Sequence, residues 1–301
     1  MSVRVEKLTK LYGKQKALDS INFEIKSGEI AGFIGPNGAG KSTTMKILTG
    51  YIPANSGEAF VNGISIHENS LELRRQIGYL PEHNPLYPEM YIKEFLEYVA
   101  GVYKIKATKK LIDSLIDMTG LGIEQHKKIG ALSKGFRQRV GLAQVLIHDP
   151  KVLILDEPTT GLDPNQIIEI RNLISQIGEE KTVLLSTHIM QEVEAICDHI
   201  IIINQGKIVA DEEGRNIQNV SKSKSMNFLI EFDQKVEQKI LEEIEAVKKI
   251  VAVNDCTFVI ESEEDVRKRI FDFAVKNELA VLSMQKKEKN LEEIFQELTK
   301  K

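Results

Sequence analysis

Short runs of unbroken apolar residues punctuate the first two thirds of the chain. Glu29–Ile34 (EIAGFI), 152–155 (VLIL), 183–187 (VLLST) and 200–203 (IIII) each have the length of a strand. Because they do not alternate with polar positions, they are predicted to be strands of a parallel sheet covered on both faces. Between them the apolar spacing changes to three and four residues. Ser42–Thr49 (STTMKILT), Glu94–Tyr103, Lys110–Met118 and the run from Ser133 to Ile147 all carry this helical period. Gly50 follows the first of these where helices commonly end. Glu58–Ile66 (EAFVNGISI) is of a third kind, with two alternating runs flanking Asn62-Gly63, the pattern of a tight hairpin.

The pattern changes after Ile203. The polar stretch Asn219–Ser225 (NVSKSKS) reads as a linker, dividing the chain into 1–219 and 226–301. Beyond it, Asn227–Phe232, Val247–Val253, Thr257–Glu261 and Leu279–Met284 are strand-like. Val236–Ile244, Glu263–Lys276 and Leu291–Leu298 are helical. This order, β-α-β-β-α-β-α, suggests a small α+β domain with a ferredoxin-like layer. It contains no catalytic constellation.

The chemistry concentrates where apolar runs end. After Glu29–Ile34 comes Gly35-Pro36-Asn37-Gly38-Ala39-Gly40-Lys41-Ser42-Thr43. Glycines spaced in this way let the backbone curl so that successive N–H groups face phosphate oxygens. Lys41 is placed to reach the β- and γ-phosphates and the Ser42 hydroxyl to ligate Mg²⁺. The run from Val152 ends in Asp156-Glu157-Pro158. At the carboxyl end of a core strand, Asp156 is positioned to hold Mg²⁺ through water and Glu157 to polarise an attacking water. A solvated acidic turn is the plainer alternative for an isolated pair of this kind.

Leu132-Ser133-Lys134-Gly135-Phe136 opens the fourth helical run, with Ser133 at the N-cap position. That helix end offers free N–H groups and a positive dipole to an anion. Here the chain resembles the ABC transporter ATPases, whose signature is usually Leu-Ser-Gly-Gly-Gln. Lys134 and Phe136 depart from it, while Ser133 and Gly135 remain. The resemblance implies a phosphate-loop ATPase domain of α/β fold with an inserted helical subdomain at about 83–135. It implies that Ser133 and Gly135 contact ATP held by a second copy or a closely related ATPase subunit. It assigns adenine stacking to Tyr12, although a lone tyrosine is more often a packing residue. His188, at the end of 183–187, becomes the residue that contacts the γ-phosphate and orients water. Gly161-Leu162-Asp163 becomes a contact between subunits. Glu82 replaces the usual Gln and keeps a metal-ligating oxygen while adding charge. Leu86, Tyr87, Met90 and Tyr91 are candidates either for a groove receiving a membrane-protein helix or for the core.

The resemblance covers essentially the whole chain. Its C-terminal part, including Leu291-Glu-Glu-Ile-Phe295, is similar to the accessory domain of bacterial drug-export and gliding-motility ATPases. Thr43–Tyr51 and Tyr79–Tyr87 look closest to the gliding-motility branch. The implied partner is an integral membrane permease, with the ATPase peripheral on the cytoplasmic face of the membrane.

Composition narrows the alternatives. At 301 residues the chain can bury a proper core in about two domains. A net charge of −4 with interspersed signs gives no basic footprint for nucleic acid. Cys197 and Cys256 have no metal spacing, and the opening residues have no apolar core of a signal peptide. No apolar run approaches the length of a spanning helix. A soluble ABC ATPase acting on ribosomes or DNA is the competing class. Such proteins typically carry paired ATPase domains, long coiled coils or zinc modules, none of which is evident here.

Overall fold

The computed structural model describes residues 2–68, 70–213, 226–287 and 291–299. They form two compact units, one over 2–213 and one over 226–298. The linker expected at 219–225 lies outside the described residues.

The first unit begins with a hairpin of β1 (Val3–Tyr12) and β2 (Gln15–Ile25), followed by β3 (Ile30–Ile34) and α1 (Lys41–Leu48). Next come β4 (Ser56–Val61), β5 (Ile64–Ser65), α2 (Ser70–Gln76) and β6 (Ile77–Leu80). A helical stretch follows, with α3 (Ile92–Val102), α4 (Lys109–Met118) and α5 (Lys134–Leu146). The unit closes with β7 (Val152–Asp156), α6 (Pro164–Gly178), β8 (Thr182–Thr187), α7 (Met190–Ile196), β9 (His199–Asn204) and β10 (Lys207–Glu213).

The apolar runs become the interior of a six-stranded sheet ordered β10-β9-β3-β8-β7-β6. Every residue of β3, β7 and β8 is buried, as expected for strands covered on both faces. All neighbours are parallel except β10, which turns back on β9 at the edge. A second, antiparallel sheet, β2-β1-β4-β5, packs against the first through a core that includes Val5, Ile21 and Met45. The Phe23 and Phe33 rings meet there at 5.3 Å. Val61 pairs with Ile64, so Asn62-Gly63 is a two-residue turn, with both residues at positive φ (49° and 80°), as a type I′ turn requires.

In the C-terminal unit, β11 (Met226–Phe232), α8 (Gln238–Leu241), β12 (Val247–Ala252), β13 (Thr257–Ser262), α9 (Arg267–Lys276), β14 (Val281–Lys287) and α10 (Leu291–Thr299) follow the expected order. The sheet runs β12-β13-β11-β14, antiparallel throughout, which is the ferredoxin-like arrangement. Two helices are shorter than their apolar spacing suggests. α8 is a single turn, followed by Ala246 at φ 69° before β12. α9 starts only at Arg267. Before it, the Ser262 hydroxyl accepts from the Glu264 N–H and donates to the Ala246 carbonyl, a local turn that competes with helix.

Candidate nucleotide site

The parallel register brings the functional loops to one edge. Ile34 lies beside Thr187, and Asp156 beside Ser186, so the segments leaving β3, β7 and β8 emerge together at their carboxyl ends. They surround a cleft of about 460 Å³ lined by Pro36, Asn37, Gly38, Gly40, Lys41, Ser42, Thr43, Glu82, Glu157, Thr160 and His188, with Ala17 from β2.

Two glycines of the loop have specific reasons. A β-carbon on Gly35 would collide with the Ile203 carbonyl, and Gly40 holds φ 119° as the residue before α1. Gly35 and Ala39 lie buried beneath the loop. The Ala39 N–H donates to the Pro36 carbonyl at 3.1 Å, which closes the curl. The loop therefore enters α1 with backbone N–H groups at its mouth, the geometry that receives an anion.

Lys41 is only 6% exposed. Its ammonium donates to the Gly35 carbonyl at 2.7 Å and stands 3.5 Å from Glu157 Oε1. A buried cation is costly unless paired, and this pairing meets that condition. Glu157 is the most restrained residue of the site. Its backbone is left-handed (φ 51°), uncommon for a residue with a β-carbon. Its N–H reaches Ser186 Oγ at 3.0 Å and the Ser186 carbonyl at 3.1 Å. On its carboxylate, Oε2 lies 2.7 Å from His188 Nδ1 and accepts the Thr160 hydroxyl at 3.0 Å.

Asp156 is 2% exposed and does not itself line the cleft. Its Oδ1 accepts the Ser186 hydroxyl at 2.6 Å. Its charge reaches Tyr79 on β6, whose phenol is pushed up first by burial and then by Asp156. The loop after β8 is set by Thr187. Its hydroxyl donates to the buried Glu192 carboxylate at 2.7 Å and accepts the Ile189 N–H at 3.0 Å.

Besides the buried Gly35 and Ala39, three expected nucleotide contacts lie away from the cleft lining. Tyr12, at the end of β1, is 51% exposed, with Lys10 Nζ 5.4 Å from its ring centre. Ser133 caps α5, its hydroxyl accepting the Phe136 N–H at 3.3 Å. Gly135 packs so closely on Gln166 that a β-carbon would collide with that side chain. Thr160 and Ser186 belong to the site although the motifs did not single them out. The available signals were a hydroxyl three residues after Glu157 and a polar end to an otherwise apolar strand.

The family model for ABC transporters matches residues 18–160. The bacitracin transport ATP-binding protein of Bacillus licheniformis is 40% identical over 214 residues, 69% of each chain. The chain belongs to the ATP-binding subunits of ABC transporters. The linearmycin resistance ATP-binding protein of Bacillus subtilis is 32% identical over 99% of this chain and 98% of its own length. Among solved structures, a dimeric ATP-binding cassette in a post-hydrolysis state with ADP and phosphate aligns at a TM-score of 0.64 and 28% identity, covering 70% of this chain and 98% of that one. This ABC transporter subunit is an ATPase. Among the described residues, no helix is long and apolar enough to cross a membrane.

Proposed function

We propose that this chain is the ATPase of an exporter, seated on the cytoplasmic face of a membrane permease. In this reading a pair of copies closes head to tail on ATP. The observation that carries it is the convergence of Lys41, Ser42, Glu157 and His188 on one cleft. Lys41 neutralises the β- and γ-phosphates, which replace Glu157 as its counter-charge. Glu157 polarises the attacking water, and His188 orients water against the γ-phosphate. Tyr12 stacks on adenine. Ser133 and Gly135 of one copy face the phosphate held by the other, and Gly161-Leu162-Asp163 lies at the same junction.

The residues present fit Mg²⁺. Among the described residues no three His, Cys, Asp or Glu side chains gather around a metal position. An ion bound mainly through substrate phosphates, water and a few protein oxygens needs no such cluster. Ser42, Asp156 and Glu82 would hold it, and it would neutralise charge on the phosphates.

Two surface features support the permease. Tyr87 and Tyr91 are half-exposed, and Tyr87 meets Tyr98 edge-on at 5.6 Å beside the half-buried Leu86 and Met90. A cavity of about 420 Å³ is lined by residues including Tyr51, Arg74, Tyr79, Gln144 and His148. Tyr79 Oη, Gln144 Oε1 and His148 Nδ1 are buried with no partner among the described residues, and β6 runs from this cavity towards Glu82. The export reading draws on the relatives named for bacitracin transport, linearmycin resistance and lantibiotic transport. A role in gliding motility rests only on Thr43–Tyr51 and Tyr79–Tyr87 and ranks second.

The test is to tag Glu157→Gln, solubilise cells in mild detergent with ATP, and identify what co-purifies. The expected result is a trapped dimer with a polytopic membrane protein and turnover reduced at least about a hundredfold. Ribosomal or DNA-bound partners without a membrane protein would overturn the transporter assignment.

A further inference from the structure

We infer that Ser186 and Thr160 are positioning residues that lock the Asp156–Glu157 pair and select Glu157 Oε1 as the oxygen that meets water. This rests on the reading of Glu157 as the base.

Ser186 is fully buried, and its hydroxyl has one proton. At 2.6 Å from Asp156 Oδ1 that proton is directed at the carboxylate, which accepts only. The same oxygen then accepts the Glu157 N–H at 3.0 Å. One hydroxyl therefore ties two consecutive acidic residues, on the side chain of the first and the backbone of the second. The second tie has a clear purpose. A non-glycine residue at φ 51° is strained and persists only where its surroundings hold it. Without Ser186 Oγ, that N–H keeps only the Ser186 carbonyl at 3.1 Å.

Thr160 acts on the other end of Glu157. Its hydroxyl donates to Oε2 at 3.0 Å, and His188 Nδ1 lies 2.7 Å from the same atom. These two neighbours occupy Oε2. Among the described residues, Oε1 makes its close contact only with Lys41, at 3.5 Å, a cation that phosphates compete for. The carboxylate is thereby turned so that one oxygen is anchored and the other is presented.

The experiment compares the full-length variants Thr160→Val, Thr160→Ser, Ser186→Ala and Glu157→Gln with the wild-type protein. It measures equilibrium ATP binding and kcat. Thr160→Val should lower kcat about tenfold, a loss on the scale of one hydrogen bond to a charged group. It should leave ATP affinity within about twofold. Thr160→Ser restores the hydroxyl and should recover kcat. Ser186→Ala should lower kcat by a similar factor at unchanged affinity, and should add no further loss in the Glu157→Gln background. If Thr160→Val does not fold, Thr160→Ala takes its place. A Glu157→Gln protein that turns over normally would remove the base reading and this inference with it. If Glu157→Gln stops turnover while Thr160→Val and Ser186→Ala keep the wild-type kcat, the base reading stands and the positioning roles are refuted. Equal losses in Thr160→Val and Thr160→Ser would also refute the role of the hydroxyl.

Discussion

The two units use their sheets in opposite ways. In the first, β3, β7 and β8 are parallel and buried on both faces, so their carboxyl ends share one edge. Loops leaving those ends converge, and Lys41, Glu157, Thr160 and His188 meet there. In the C-terminal unit, neighbouring strands are antiparallel, so successive strand ends point in opposite directions. β13 alternates between buried and half-buried positions along its length. Its buried positions join a core built on Phe228, Phe232, Phe258 and Phe273. Parallel topology gathers chemistry at one edge. The antiparallel layer builds a packed core without such an edge.

The sharpest way to break this contrast is Lys41→Ala. It should abolish measurable turnover and weaken ATP binding by at least about tenfold, since it removes the charge-assisted contact to phosphate. Wild-type affinity in an equilibrium binding assay would show that the converging loops are not the nucleotide site. Next is Phe258→Ala, which empties a fully buried position and should cost about 3–5 kcal/mol of stability in the C-terminal unit. Turnover should stay near wild-type wherever that unit remains folded. Parallel denaturation and ATPase measurements decide this, and turnover lost well before unfolding would mean that the C-terminal unit takes part in hydrolysis. Tyr12→Ala should weaken ATP by about 1 kcal/mol, roughly fivefold, while leaving inorganic triphosphate binding unchanged. An equal loss for both ligands would count against stacking.

The smallest effect concerns pH. All six histidines lie in the first unit, so sensitivity near neutrality should be confined to it. His199 is buried. Burial opposes its charge, but Asp211 at 2.6 Å, with Glu29 and Glu213 behind it, raises its pKa. The raised value means a contribution to stability that is complete below about pH 6.5 and lost as pH rises through the folded-state pKa. For His148 burial wins and the pKa falls, so its contribution is present above about pH 6.5 and lost as pH falls through the folded-state value. Thermal melts of His199→Gln and His148→Asn across pH 5–9 should flatten the alkaline and acid sides respectively. The same slope in wild type and His199→Gln would remove His199 as a source.

The phosphate loop, the Asp156-Glu157 pair and the helix after Ser133 were legible because their geometry depends on residues close in sequence. So were the Asn62-Gly63 turn and the strand order of the C-terminal unit. The Ser186 bridge and the Lys41–Glu157 pair were not. The first joins residues 29 and 30 positions apart, and the second spans more than a hundred. Nothing in local spacing reports such contacts. α8 and α9 were overextended because apolar periodicity does not register a side chain such as Ser262 drawing the backbone into a turn.

The sequence by itself determined the family, the elements and the identity of the reactive groups, since hydrophobic period and motif spacing act over a few residues. Only the tertiary structure decided which groups face one another. The parallel register of β3, β7 and β8 brings Ser186 beside Asp156 and turns Glu157 between Lys41 and Thr160. The physical reason is that strand pairing fixes distances between segments remote in sequence, and proton transfer and charge pairing depend on those distances to within fractions of an ångström.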